Sequence, residues 1–101
     1  MLNIVAVIES SAEDIAALRD VFAEMETASR AEEGCHDYTF LQEVSNPDVL
    51  RMNERWESME ALQAHFATPH MAKFNEAISG RRPRSMTLQL HELGEERTLP
   101  T

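Results

Sequence analysis

An α+β fold is predicted by three features of the chain. Four segments of β-branched or alternating apolar residues read as strands, two segments repeat apolar residues at helical spacing, and Ser, Thr, Asn, Pro or Gly stands at the junctions. Leu2 to Glu9 is the first strand, with Leu2, Ile4, Ala6 and Ile8 on one face and Val5 and Val7 on the other, so both faces call for cover. Ser10 and Ser11 precede Glu13 and Asp14, and either serine can open a capping box. The helix that follows runs from Ala12 to Glu32, with Ile15, Leu18, Phe22 and Met25 on its apolar stripe and Gly34 as its terminator. Cys35 to Val44 sets Tyr38, Phe40 and Gln42 against Asp37, Thr39 and Leu41, and Ser45-Asn46-Pro47-Asp48 turns the chain. Val49 to Glu57 is the third strand, with Leu50, Met52, Glu54 and Trp56 on one side. Ser58 opens a short helix through Phe66, Thr68-Pro69 caps and restarts it, and Gly80 ends it. Met86, Leu88 and Leu90 mark a fourth strand, and Gly94 to Thr101 is a polar tail.

This order, βαββαβ, is the ferredoxin-like plan: a four-stranded antiparallel sheet with two helices on one face. The 101 residues suit one domain, 1–101. A chain of this size buries roughly 65% of the surface that its unfolded form exposes, so its core is thin and association is favoured. Val5 and Val7 would leave apolar area on the bare sheet face, which a second copy could cover, so a homodimer is expected.

Composition narrows the function classes. Lys and Arg number 9 against 18 Asp and Glu, a net charge of −9 that repels phosphate backbones and anionic lipid, so no nucleic acid is expected as partner. The longest apolar run, Ile4 to Ile8, is too short to span a bilayer, so no membrane partner is expected either. Cys35 is alone, which precludes an internal disulfide, and no basic, apolar leader opens the chain, so a cytoplasmic location is expected. Arg81, Arg82 and Arg84 form the one basic cluster and read as loop residues answering nearby acids. With 3 glycines the chain has no phosphate loop and no dinucleotide fingerprint, and Cys35, His36, His65, His70 and His91 lack zinc-ligand spacing, so neither cofactor nor metal is expected.

Glu54 is the oddity of the third strand, because it shares the stripe of Leu50, Met52 and Trp56 and a buried carboxylate needs a partner. An odd-length hairpin loop sets Tyr38 opposite Glu54 or Trp56. His65 flanks the helical face of Met59, Leu62 and Phe66 and can lean over the same wall. The three could converge between sheet and helix, with His65 as base or hydrogen-bond partner and Glu54 orienting it or the substrate. The plainer reading is a satisfied structural pair. His70 reads as a first-turn residue after Pro69, His91 falls on the Thr87 and Gln89 side of the last strand, and the methionines Met25, Met52, Met59, Met71 and Met86 read as core filler.

The run Arg30-Ala31-Glu32-Glu33-Gly34-Cys35 with Tyr38, then Asn53-Glu54-Arg55-Trp56-Glu57-Ser58, Glu60-Ala61-Leu62, Ala64-His65 and Thr68-Pro69-His70, resembles the antibiotic biosynthesis monooxygenase superfamily over nearly the whole chain. The resemblance implies a dimeric α/β barrel and, among similar members, cofactor-independent oxidation of quinols or dihydroxy aromatics by molecular oxygen. It further implies His65 as base or anion stabiliser, Glu54 as its partner, and Tyr38, Trp56, Phe66 and Met52 around the substrate. Asn53 departs from the aromatic residue that many relatives carry there, and His65 stands where haem-degrading relatives have Trp. Two other readings are an isomerase of a small phosphorylated or hydroxylated ketone, favoured if the arginines face the pocket, and a non-catalytic binding barrel, favoured by a pocket under about 300 Å³.

Overall fold

The computed structural model describes residues 1–101, in the order β1 (Leu2–Glu9), α1 (Ala12–Ala17), α2 (Arg19–Arg30), β2 (Cys35–Gln42), β3 (Val49–Trp56), α3 (Met59–Phe66), α4 (Pro69–Ile78) and β4 (Ser85–Glu92). The strands form one sheet in the order β2-β3-β1-β4, every pair antiparallel, which is the expected ferredoxin-like arrangement.

Each helical limb is split in two. The second split was signalled: Thr68 accepts a hydrogen bond from the Met71 amide at 3.3 Å, and Pro69 takes a first-turn position that needs no N–H donor. The first split corrects the single helix expected from Ala12 to Glu32. Leu18 sits at φ −97° and ψ 6°, outside helical geometry, with no proline or glycine to mark it. That limb also ends earlier than expected, at Arg30, and Ala31 to Gly34 form a turn. Gly34 is required there for two reasons: its φ is +83°, and a Cβ would lie 2.7 Å from that of Ala61. Ser11 caps α1 and Ser58 caps α3, through bonds from the Asp14 and Ala61 amides.

Register decides which residues meet. Tyr38 pairs with Glu54, Glu54 with Ile4, and Ile4 with Leu90, giving one row across the sheet on its helix-facing side. The next two rows are Phe40-Met52-Ala6-Leu88 and Gln42-Leu50-Ile8-Met86. A bulge between Cys35 and Asp37 brings Cys35 onto the side of Tyr38. The core gathers at the β2-β3-β1 end, where Leu2, Ile4, Tyr38 and Trp56 pack under Met25 and Leu62. Helices do not reach β4, and Met86, Leu88 and Leu90 stay exposed on the helix-facing side. On the bare face Val5 and Val7 are half-buried among Asn53, Gln89, Arg51 and Thr87, so that face is more polar than the two valines implied.

Candidate active site

A cavity of about 900 Å³ lies between the sheet and the helices, mostly apolar, and three times the size that would have argued for a mere binding shell. The three sheet rows form its floor, α3 and α4 form its roof, and the exposed residues of β4 leave one side open. Its closed end holds Tyr38, Glu54 and His65.

Glu54 is 5% exposed, and its Oε1 accepts a hydrogen bond from the Trp56 indole N–H at 2.9 Å. Burial raises its pKa above the ordinary carboxyl value, the indole bond and nearby His65 oppose that rise, and the charge of Glu32 adds to it. Tyr38, directly across the strand pair, has its phenol pKa raised by burial and then by the charge of Glu54, while the Ser29 hydroxyl opposes the shift. His65 comes from α3, where the Ser58 cap starts the helix so that Leu62 and His65, three residues apart, both turn inward. Its side chain is 1% exposed, with ring centroids 4.9 Å from Trp56 and 5.3 Å from Tyr38.

The hydrogen-bond partner of His65 corrects the expected pairing. Its Nδ1 lies 2.6 Å from Oε2 of Glu32, whereas Glu54 is engaged by Trp56. A carboxylate accepts, so Nδ1 carries the proton and Nε2 is left free for other partners. Glu32 reaches this position because the helix stops at Arg30 and the following turn, closed by Glu32 N–H to the Ser29 carbonyl at 3.0 Å, aims its side chain at α3. The same Oε2 also lies 2.8 Å from Nε2 of His70, in the first turn of α4. Glu32 stood in the acid-acid-glycine run before Cys35, but helical periodicity alone assigned it to a solvated helix end, and nothing linked it to residues 33 and 38 positions away.

Of the other expected substrate contacts, Met52 and Phe66 line the cavity, Phe66 at its exposed edge. Trp56 does not line it: the side chain is fully buried in the core behind the wall, and its part is to hold Glu54. Burial and the charges of Glu32 and Glu54 push the Cys35 thiol up to about 11, which keeps it protonated and unreactive at neutral pH. Arg81 and Arg82 line the cavity, but Arg81 is bonded to Asp14 at 2.7 Å and Arg84 to the Ser10 carbonyl at 2.9 Å, at the far end from His65.

Glu32, His65 and His70 present three donor atoms within 4.8 Å of one another. Ligands about 2.1 Å from a tetrahedral zinc ion stand about 3.4 Å apart, so nitrogen-to-oxygen distances of 2.6 and 2.8 Å describe hydrogen bonds on one oxygen rather than a ligand cage.

Known proteins resemble the chain in both sequence and fold. The model of one family, described as antibiotic biosynthesis monooxygenase, matches residues 1–77. The chain is 38% identical over 72 residues to the protein named "Probable quinol monooxygenase YgiN" of Escherichia coli K12, across 63% of this chain and 69% of that one. An uncharacterised Synechocystis protein, sll1783, is 29% identical over 87 residues, 86% of this chain and 57% of its own length. A crystal structure of a Deinococcus radiodurans protein of the same family designation superposes with a TM-score of 0.88 at 25% identity, covering 100% of both chains. Rv0793 of Mycobacterium tuberculosis shares the fold, with a TM-score of 0.82 at 24% identity over 96% of this chain and 98% of that one.

Proposed function

This chain belongs to the antibiotic biosynthesis monooxygenase family, and from that premise we propose that it oxidises a quinol or dihydroxy aromatic with molecular oxygen, without a cofactor, in the cavity above the sheet. The observation that carries this reading is the convergence of a free imidazole nitrogen, a buried phenol and a buried carboxyl at the closed end of an apolar space. An electron-rich aromatic anion is itself the reductant, so such a protein has to supply a base, donors for the resulting oxyanion, and exclusion of water. Nε2 of His65 takes the substrate hydroxyl proton. Tyr38, whose raised pKa keeps the phenol protonated, then donates a hydrogen bond to the anion, and Glu54 stands across the strand pair from it. Oxygen takes four electrons in all: two from quinol to quinone and two from conversion of one ring C–H bond to C–O. A simple benzenediol and O2 thus give a hydroxyquinone and water, with atoms in balance.

The arginines argue against a small-ketone isomerase even though Arg81 and Arg82 line the cavity. Their loop is tied to β1 at Glu9, by the Arg84 N–H to the Glu9 carbonyl, five residues from Ile4 in the Glu54 row. At a strand rise of about 3.3 Å per residue this sets the backbone of the arginine loop about 16 Å along β1 from the Glu54 row, toward the other end of the cavity.

Oxygen uptake with a panel of reduced quinols tests the reading. Consumption above the uncatalysed rate is expected, with a large loss in His65→Ala. No uptake with any quinol would remove the function, and equal rates in both proteins would remove the role of His65. We also propose a homodimer, supported by the exposed apolar residues of β4, which sedimentation at micromolar concentration would refute by finding only monomer. A reducing cytoplasm fits the unpaired Cys35, and no helix is long and apolar enough to cross a membrane.

A further inference from the structure

We infer that Glu32 and His70 form a proton path between the buried base His65 and solvent on the opposite side of the helical layer. The inference rests on the proposal that His65 takes a proton from the substrate. Oε2 of Glu32 stands between the two rings, 2.6 Å from Nδ1 of His65 and 2.8 Å from Nε2 of His70. Side-chain exposure rises along this line, from 1% at His65 to 13% at Glu32 and 23% at His70. The two ends open onto different spaces. His65 lines the large cavity, whereas His70 lines a separate small groove with Val21, Glu24 and Lys73.

This arrangement exceeds what orienting an imidazole requires. One carboxylate on Nδ1 would suffice to set the ring and its tautomer. The second histidine comes from another helix, meets the same oxygen and adds a partner that water can reach. The chemistry also gives the path a use. A proton left on His65 would sit as a buried positive charge beside the substrate anion and stabilise it against giving electrons to oxygen. Moving that charge outward restores the reducing power of the anion.

Each transfer is between neighbours. His65 gains a proton at Nε2 and passes its Nδ1 proton to Oε2 of Glu32. Solvent access lets His70 exchange between its two neutral forms, so its bare Nε2 can take the proton from Glu32 while Nδ1–H yields one to water. The oxidation as a whole consumes no net proton, so the same path carries one back for the departing oxygen as water forms, and both rings recover their first tautomers. The titratable groups facing this line are Glu54, Tyr38 and Cys35 from the sheet and the Glu24–Lys73 ion pair, 2.6 Å long, beside His70.

Proton exchange between His65 Nδ1–H and water, measured by NMR saturation transfer on the full chain, tests the path without any turnover. His70→Gln and Glu32→Gln, both conservative in shape, should slow that exchange about tenfold or more, and a rate within twofold of the natural protein in both would overturn the inference. In oxygen uptake, His70→Gln should lower kcat about tenfold at unchanged KM, with activity recovered by imidazole added to the buffer. A loss that no proton carrier recovers would mark a structural role and overturn the path, as would stoichiometric zinc binding that His70→Gln abolishes. If the natural protein oxidises no quinol, the functional reading fails while the exchange measurement still decides the path.

Discussion

The two ends of the row Tyr38-Glu54-Ile4-Leu90 are built on opposite terms. At the β2 and β3 end three groups of the site are tied to partners: Trp56 holds Glu54, Glu32 holds Nδ1 of His65, and the Tyr38 carbonyl accepts from Arg30 Nε at 2.9 Å, while the buried Ser29 hydroxyl has none. At the β4 end Leu90, Leu88 and Met86 face an open cavity without cover. The closed end is therefore suited to a fixed arrangement of charge and protons, because low dielectric magnifies each interaction there. The open end offers apolar area alone, suited to holding the body of a substrate or meeting a second copy.

Substitutions at the two ends should separate chemistry from binding. The largest effect is expected at His65, where His65→Ala should lower kcat for quinol oxidation about 100-fold or more, read by oxygen uptake. Next, Trp56→Phe leaves the Glu54 carboxyl buried without its donor and should cost about 2 kcal/mol of stability in urea unfolding, whereas Leu88→Ala on the open side should change the stability of the single subunit by under about 0.5 kcal/mol. Equal losses would erase the distinction between the two ends.

Acidity sharpens it further. The pKa of Glu54 is raised above 4.5 on folding, so the folded state binds this proton more tightly than the unfolded one. The stability this gives is fully present below pH 4.5 and is lost as pH rises through the folded value. The unfolding free energy of the natural protein relative to Glu54→Gln should accordingly fall with rising pH across that window, and a flat difference would mean that the carboxyl is not held protonated. The smallest effect belongs to the open wall, where Leu88→Ala should raise KM about three- to fivefold at constant kcat, roughly the contribution of one buried methylene. A fall in kcat instead would place chemistry on β4.

Much of the fold was legible because it follows from local rules. Period-two alternation placed Glu54 and Trp56 on one face, the Ser45 to Asp48 turn set Tyr38 against Glu54 or Trp56, of which the register takes Glu54, and Thr68-Pro69 announced the start of α4. The break at Leu18 had no such marker, since no residue there forbids a helix. The candidate site was legible in part, for the same reason. Tyr38, Glu54, Met52 and Phe66 reach the cavity through strand and helix periodicity, whereas Trp56, on the same stripe as Glu54, ends behind the wall because the core closes over it.

By itself, then, the amino-acid order determined the strand faces, the helix caps and the βαββαβ order of elements, since each depends on residues at most a turn or a hairpin apart. Only the tertiary structure decided that Glu32 leaves the helix, swings toward α3 and α4, and binds two histidines 33 and 38 residues away. Such a contact depends on where a turn aims one side chain and how two helices pack, and neither periodicity nor spacing encodes that geometry. The open side at β4 is of the same kind, because uncovered area results from how far the helices extend across the sheet.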